Sequence, residues 1–207
     1  MRIWNLLAVL GAVTSPALGQ GGQLTRPDAW RIRPDQPGAD TTALEFVAMP
    51  PGWHITTGPS LILWDPAKTA FGQYTVESEV FFFRGKSRDT EGYGILLGGK
   101  NLDGPEPDYV YFLLRNDGKY LVKHRVGSQT HVIQDWTVHA AVARHTGEGG
   151  PTVKNVIRVE AGADSVRFFV NDQAVAAFPR GHMRADGIVG LRVNHGLNLH
   201  VSKLEVK

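Results

Sequence analysis

Residues 109–126 read YVYFLLRNDGKYLVKHRV, two apolar runs on either side of an Asp-Gly pair. Asp-Gly flanked by alternating hydrophobic residues is the strongest short-range sign of a β-hairpin. With Asp117 and Gly118 as a two-residue turn, Arg115 faces Tyr120, Leu113 faces Val122, Tyr111 faces His124 and Tyr109 faces Val126. Side chains alternate across a strand, so those eight share one face of the sheet. The opposite face carries Val110, Phe112, Leu114 and Leu121, with Lys123 and Arg125 toward one end, and it is the better core. The first face combines Tyr109, Tyr111 and Tyr120 with Arg115 and His124, which is the make-up of an exposed binding surface: rings to stack on a ligand and polar groups to orient it. The competing reading is that the same tyrosines and histidine lie half-buried beneath a loop.

The strand–turn–strand pattern continues in both directions. Apolar runs at 30–33, 43–47, 54–57, 60–64, 74–83, 93–98, 119–126, 131–135, 155–160, 165–170, 174–178, 188–194 and 197–206 join 109–115, separated by Gly, Pro, Asn and Asp. No stretch has helical periodicity, no fixed-period repeat recurs, and composition does not shift along the chain. The expected fold is therefore all-β, a single two-sheet antiparallel jelly-roll sandwich over residues 30–207. Segments 85–91 and 146–154 are too polar for strands and read as loops. In the last run Leu197, Leu199 and Val201 have one parity while Leu204 and Val206 have the other, which predicts a β-bulge near Ser202 and Lys203.

Upstream, residues 20–29 form a Gly-rich polar spacer, and residues 1–19 have the three parts of a secretory leader. Arg2 gives the positive start, 3–13 the apolar stretch, and Ala17-Leu18-Gly19 the small residues before a cut at Gly19/Gln20. A secreted or periplasmic location follows as an expectation. The 207 residues carry 22 Lys+Arg against 20 Asp+Glu and no Cys. That balance lacks the concentrated basic footprint of a nucleic-acid binder, and no apolar window reaches the roughly 18 residues of a membrane span. Without cysteine there is no disulfide, thiolate metal site or cysteine nucleophile. A near-neutral chain suits an uncharged partner such as a neutral carbohydrate.

Two further strands supply candidate site residues. In 74–83, alternation puts Val76, Ser78, Val80 and Phe82 on one side and Glu77, Glu79, Phe81 and Phe83 on the other. Carboxylates at i and i+2 on a strand stand about 6.6–7 Å apart, within the range used by paired acids in glycosidases; a solvated strand face is the plainer alternative. In 188–194, Val189, Leu191 and Val193 form the core set, turning Arg192 and Asn194 outward as hydrogen-bonding groups for sugar hydroxyls or carboxylates. Asn101, Asp103, Glu106 and Asp108 offer oxygen ligands for calcium without EF-hand spacing, and a turn stiffened by Pro105 and Pro107 explains them as well. No other cofactor is expected: the histidines show no zinc-site spacing, and neither a Gly-x-Ser-x-Gly elbow nor a phosphate-binding loop is present.

The order of these motifs resembles the concanavalin A-like jelly-roll superfamily, and within it the secreted bacterial laminin-G-like and 3-keto-disaccharide hydrolase group. FGQYTVESEV at 71–80 is similar to that group's "f-G-d-f-x-l-x-x-E-f" strand, YGILL at 93–97 to its "s-G-i-f-f" strand, and FVNDQAV at 169–175 to its "v-N-G-x-x-V" hairpin with Asp172 in place of Gly. GIVGLRV at 187–193 and LHVSKLEV at 199–206 resemble its closing strand pair. The Glu-x-Asp-x-x-Glu signature of the endoglucanase branch is absent, and Glu91-Gly92-Tyr93-Gly94 replaces the Asn-Ser-Gly start of the keto-disaccharide branch, so no catalytic residue is transferred. Three functions follow as expectations. The first is binding of a neutral glycan on a concave sheet face through Tyr109, Tyr111, Arg115, Tyr120, His124, Arg192 and Asn194. The second is hydrolysis or lysis of modified (3-keto) disaccharides in the same cleft, with Glu77 or Glu79 as acid/base and Arg192 or His124 stabilising charge. The third is a laminin-G-like protein partner held by edge loops.

Overall fold

Strand β5 (Tyr74–Phe83) turns its sequence alternation directly into structure: Val76, Ser78, Val80 and Phe82 are buried, while Glu77, Glu79, Phe81 and Phe83 are half-buried on the other side. The computed structural model describes residues 25–84, 87–147 and 150–207; the leader expected at 1–19 and the first part of the spacer lie outside the described residues. The remaining strands are β1 (Arg31–Pro34), β2 (Glu45–Ala48), β3 (Trp53–Thr56), β4 (Leu61–Ala70), β6 (Tyr93–Lys100), β7 (Asp108–Arg115), β8 (Lys119–Val126), β9 (Gln129–Val138), β10 (Thr152–Ala161), β11 (Ser165–Val170), β12 (Gln173–Pro179), β13 (Gly187–Val193) and β14 (Asn198–Val206). Each predicted run has become one of these strands. The chief difference in extent is β4, which runs six residues beyond the apolar pattern to Ala70. β9 runs three residues further at its C-terminal end and two at its N-terminal end. β10 starts at Thr152, inside the segment 146–154 read as a loop, because Thr152 and Lys154 lie on the outward side of the strand.

The strands form two antiparallel seven-stranded sheets. Sheet A has the order β1-β4-β13-β6-β7-β8-β9, and sheet B the order β12-β11-β10-β5-β14-β3-β2. Phe82, Phe112, Phe168, Ile55, Leu63 and Leu191 interlock between them, each almost fully buried. A buried large apolar side chain contributes about 1.5–3 kcal/mol relative to an exposed one, so this layer holds the sandwich. The predicted bulge is present: the β14–β5 register shifts between Val201 and Lys203, where the buried Ser78 hydroxyl donates to the Lys203 carbonyl at 3.0 Å.

The opening hairpin differs from its expected register by one residue. Arg115 pairs with Lys119, Leu114 with Tyr120, Phe112 with Val122 and Val110 with His124. The turn has three residues, Asn116-Asp117-Gly118, closed by the Gly118 N–H on the Arg115 carbonyl at 3.1 Å with Gly118 at φ 86°. A left-handed third residue is characteristic of three-residue hairpin loops, and glycine takes it without a Cβ clash. A one-residue slip exchanges the faces of a whole strand. Tyr120, Val122 and His124 therefore share the inner face with Val110, Phe112 and Leu114, while Leu121, Lys123 and Arg125 join Tyr109 and Tyr111 outside.

Candidate functional site

The outer face of sheet A was expected to be an open tyrosine platform, and it is covered. Tyr109 and Tyr111 are only 1% and 6% exposed, packed with Ile62, Trp64, Leu96, Leu113 and Leu121 in a second apolar cluster. The cover comes from the loop at 101–107. Leu102 is buried in that cluster, and the Arg33 guanidinium holds the loop by donating to the Leu102 carbonyl at 2.7 Å and to the Gly104 carbonyl. Arg192, beside Ile62 of β4 and Gly94 of β6, reaches across the bare glycine so that its guanidinium stands 5.4 Å from the Tyr111 ring centre.

Asp35, just past β1, closes this cluster from above. It accepts both Arg192 terminal nitrogens at 2.5 Å, one on each oxygen, and Arg125 at 2.7 Å. Burial opposes ionisation of Asp35, yet the hydrogen bonds and charges of the two guanidiniums outweigh it and hold the carboxyl below its ordinary range. Burial likewise disfavours charge on Arg192, and Asp35 reverses that, raising its pKa further. Two polar atoms, one on β13 and one on the residue that follows it, are buried without a partner among the described residues: Nε of Arg192 and Oδ1 of Asn194. Arg115 is committed to Asp117 and lies over the Trp136 ring at 4.3 Å.

Glu77 and Glu79 do share a face, as expected, but it is the outer face of sheet B, on the opposite side of the sandwich from Arg192. They cannot work in one cleft with Arg192 or His124. The ammonium of Lys203 hydrogen-bonds Glu77 at 2.6 Å, holding its carboxyl below the usual range. Ser202 donates to one Glu79 oxygen at 2.8 Å and Lys154 to the other at 3.1 Å, with the same effect. Both carboxyls are thus ionised near neutral pH. They accept hydrogen bonds and have no proton to give a leaving group.

Further along this face the charges give way to rings. Phe81 of β5 pairs with His200 of β14, which pairs with His54 of β3, so these three stand in one row across the sheet. Phe81 and His200 have ring centres 6.1 Å apart, and His54 meets Phe83 edge-on at 5.6 Å. The His200 Nε2–H donates to the Pro51 carbonyl at 2.9 Å, which fixes the ring. Together Pro51, Glu79, Phe81, Phe83, Thr152, His200 and Ser202 line a hollow of about 330 Å³. That is at the lower end of the roughly 300–1,000 Å³ of small-molecule sites, and it has their pattern of apolar walls with a few hydrogen-bonding groups.

The other expected residues are dispersed. His124 turns inward and donates through Nε2 to Asp108 at 2.6 Å, and the second Asp108 oxygen accepts Arg184 at 2.7 Å. Tyr120 is buried in the inter-sheet core with its hydroxyl on the Val175 carbonyl at 2.8 Å. The four calcium candidates do not converge, since Asp103 pairs with Arg31 and Asp108 with His124 and Arg184. Among the described residues no group of three or more His, Cys, Asp or Glu is arranged to hold a metal. Sequence reasoning passed over Asp35, which lies in no motif. It also passed over the Phe81/Phe83 hollow, although those rings share the parity of Glu77 and Glu79, and that was the available signal.

No protein-family model and no curated protein matches the sequence. Solved structures match in fold. A carbohydrate binding module, CBM66 from Bacillus subtilis, superposes with a TM-score of 0.61 at 10% identity, over 86% of this chain and 95% of that one. A Bacillus subtilis protein of unknown function with a galectin-like fold gives 0.60 at 8% identity over 86% and 88%. A Bacteroides ovatus GH16 protein from a mixed linkage glucan locus gives 0.56 at 8% identity over 89% and 97%. At such identities the likeness is one of fold.

Proposed function

We propose that this chain is an exported glycan-binding module whose site is the Phe81/Phe83 hollow on the outer face of sheet B. The observation that carries the reading is the hollow itself: two half-exposed rings beside an ionised carboxylate and two hydroxyls, on a face that no loop among the described residues seals in the way residues 101–107 seal the other. Sugar rings present C–H faces to aromatic rings and hydroxyls to polar rims. Glu79 accepts from hydroxyls, Thr152 can donate or accept, and the carboxylate disfavours acidic sugars here. The fold likeness to a carbohydrate binding module supports the class. Glu77 and Glu79, both held ionised, favour binding over turnover. The leader-like residues 1–19 support export, which N-terminal sequencing of the secreted chain would test by finding Gln20 first.

A neutral-oligosaccharide array followed by calorimetry tests the site. Phe81→Ala and Phe83→Ala are each expected to weaken binding about tenfold, the scale of one aromatic stacking contact of about 0.5–1.5 kcal/mol with its lost area. Reducing ends should not accumulate. Undiminished binding by the Phe81→Ala/Phe83→Ala double variant, or steady release of reducing sugar, would overturn the proposal.

A further inference from the structure

The outer face of sheet A carries more cations than its carboxylates neutralise. Asp103 pairs with Arg31, Asp117 with Arg115 and Lys119, and Asp35 with Arg192 and Arg125. Arg33 is spent on loop carbonyls, and Lys123 has no hydrogen-bond or ionic partner among the described residues. Among these residues three carboxylates serve seven cations. On the outer face of sheet B, by contrast, Glu77, Glu79 and Glu160 each have a cation partner in a nearly balanced lattice.

The excess is concentrated around one ring. Lys123 is the direct cross-strand neighbour of Tyr111, and Arg125 lies two residues along the same strand, opposite Tyr109. From the other side Arg192 stands over the Tyr111 ring. The Arg192 side chain is only 8% exposed, and its Nε–H is buried with no acceptor among the described residues. The Tyr111 hydroxyl makes no protein hydrogen bond among the described residues, although burial raises its pKa and keeps it protonated as a donor. Asp35 answers the charges of Arg192 and Arg125, while the Lys123 ammonium and the Tyr111 hydroxyl keep donors free for an acceptor.

We infer that the Lys123–Tyr111–Arg125 surface binds an acidic group, a carboxylate or sulfate, carried on a sugar. The acid oxygens accept from the Lys123 ammonium, the Tyr111 hydroxyl and the free edge of Arg125, while Asp35 keeps Arg192 in place behind them. The glycan identity of the ligand rests on the proposed function, but the site is separate from the hollow and on the opposite face.

Calorimetry on the full mature chain tests it, using a tetramer of 1,4-linked galacturonic acid, cellotetraose as neutral control and sodium sulfate as free anion. The acidic tetramer is expected to bind and to weaken steeply as salt rises. Lys123→Met should weaken it about tenfold, equal to about 1.4 kcal/mol. Tyr111→Phe, which keeps the buried ring, should weaken it about threefold. The Phe81→Ala/Phe83→Ala double variant should bind it unchanged while losing neutral sugar. Wild-type affinity in both Lys123→Met and Tyr111→Phe would overturn the inference, as would free sulfate binding as tightly as the tetramer. Neutral-sugar binding retained in the Phe81→Ala/Phe83→Ala double variant, with the acidic response intact, would instead overturn the hollow.

Discussion

On sheet A the outward rings of Trp64, Tyr109 and Tyr111 are sealed beneath Leu102 and a guanidinium–carboxylate cluster, whereas on sheet B the outward rings of Phe81 and Phe83 stay half-exposed beside a hollow. Both faces are aromatic and charged, and they differ in what lies over them. Sheet A has spent its rings on a second core, because the loop at 101–107 bends back far enough for Leu102 to join it and Arg33 to clasp it. Ring content on a strand face therefore does not by itself mark a binding surface; the loop that crosses it decides. Charge separates the faces a second time, nearly balanced on B and in positive excess on A.

This contrast is easiest to break at Asp35. Asp35→Ala leaves the buried Arg192 without its counter-ion, and urea denaturation should show a loss of about 3–5 kcal/mol. Glu77→Ala, which removes an ion pair at the surface of sheet B, should change stability by no more than about 1 kcal/mol. Equal effects would mean that the two faces are not differently built. Next in size is Leu102→Ala, expected to cost about 2 kcal/mol, near the low end for buried leucines because a loop can settle into the space left. Faster amide exchange in β7 should accompany it, and unchanged exchange would show that Leu102 is no lid.

Acid should act in the same direction through Asp35. Its folded pKa lies below the unfolded value, so its stabilisation is complete above about pH 4 and is lost as pH falls through the folded value. The stability gap between the parent and Asp35→Asn should accordingly narrow as pH drops from 6 toward 2.5 in thermal melts, and a constant gap would remove the carboxylate's assigned role. Smallest of all is Lys154→Met, where an exposed pair with Glu79 is lost. A change within about 0.5 kcal/mol is expected, and a larger one would show that the sheet B lattice bears more weight than its exposure implies.

The presence and order of the strands were legible because period-2 burial is a local signal, as in β5, and the parity change at Ser202–Lys203 located a bulge from sequence alone. The polar ends of β4, β9 and β10 were not, since exposed edge residues carry no apolar mark. The outward turn of Arg192 was legible for the same reason. The partnership of faces was not. Nothing local tells that β5 and β13 sit in different sheets, so Glu77, Glu79 and Arg192 read as one cleft. The hairpin register failed through weighing the Asp-Gly pair above the common parity of Lys119, Lys123 and Arg125, which belongs on the wet side of a strand. Asp35 was invisible because its importance depends on a guanidinium 157 residues away.

The three-residue turn at 116–118 has one more consequence. Asn116-Asp117-Gly118 can also close as a tighter two-residue turn, so the turn residues alone leave a nascent hairpin two ways to zip. In the mistaken alignment Lys123 and Arg125 would enter the layer that sheet B must dock against, at a cost of several kcal/mol for each ion. The cations of β8 thus favour the three-residue closure by the cost of burying them in the other, and in that closure they lie on the outer face.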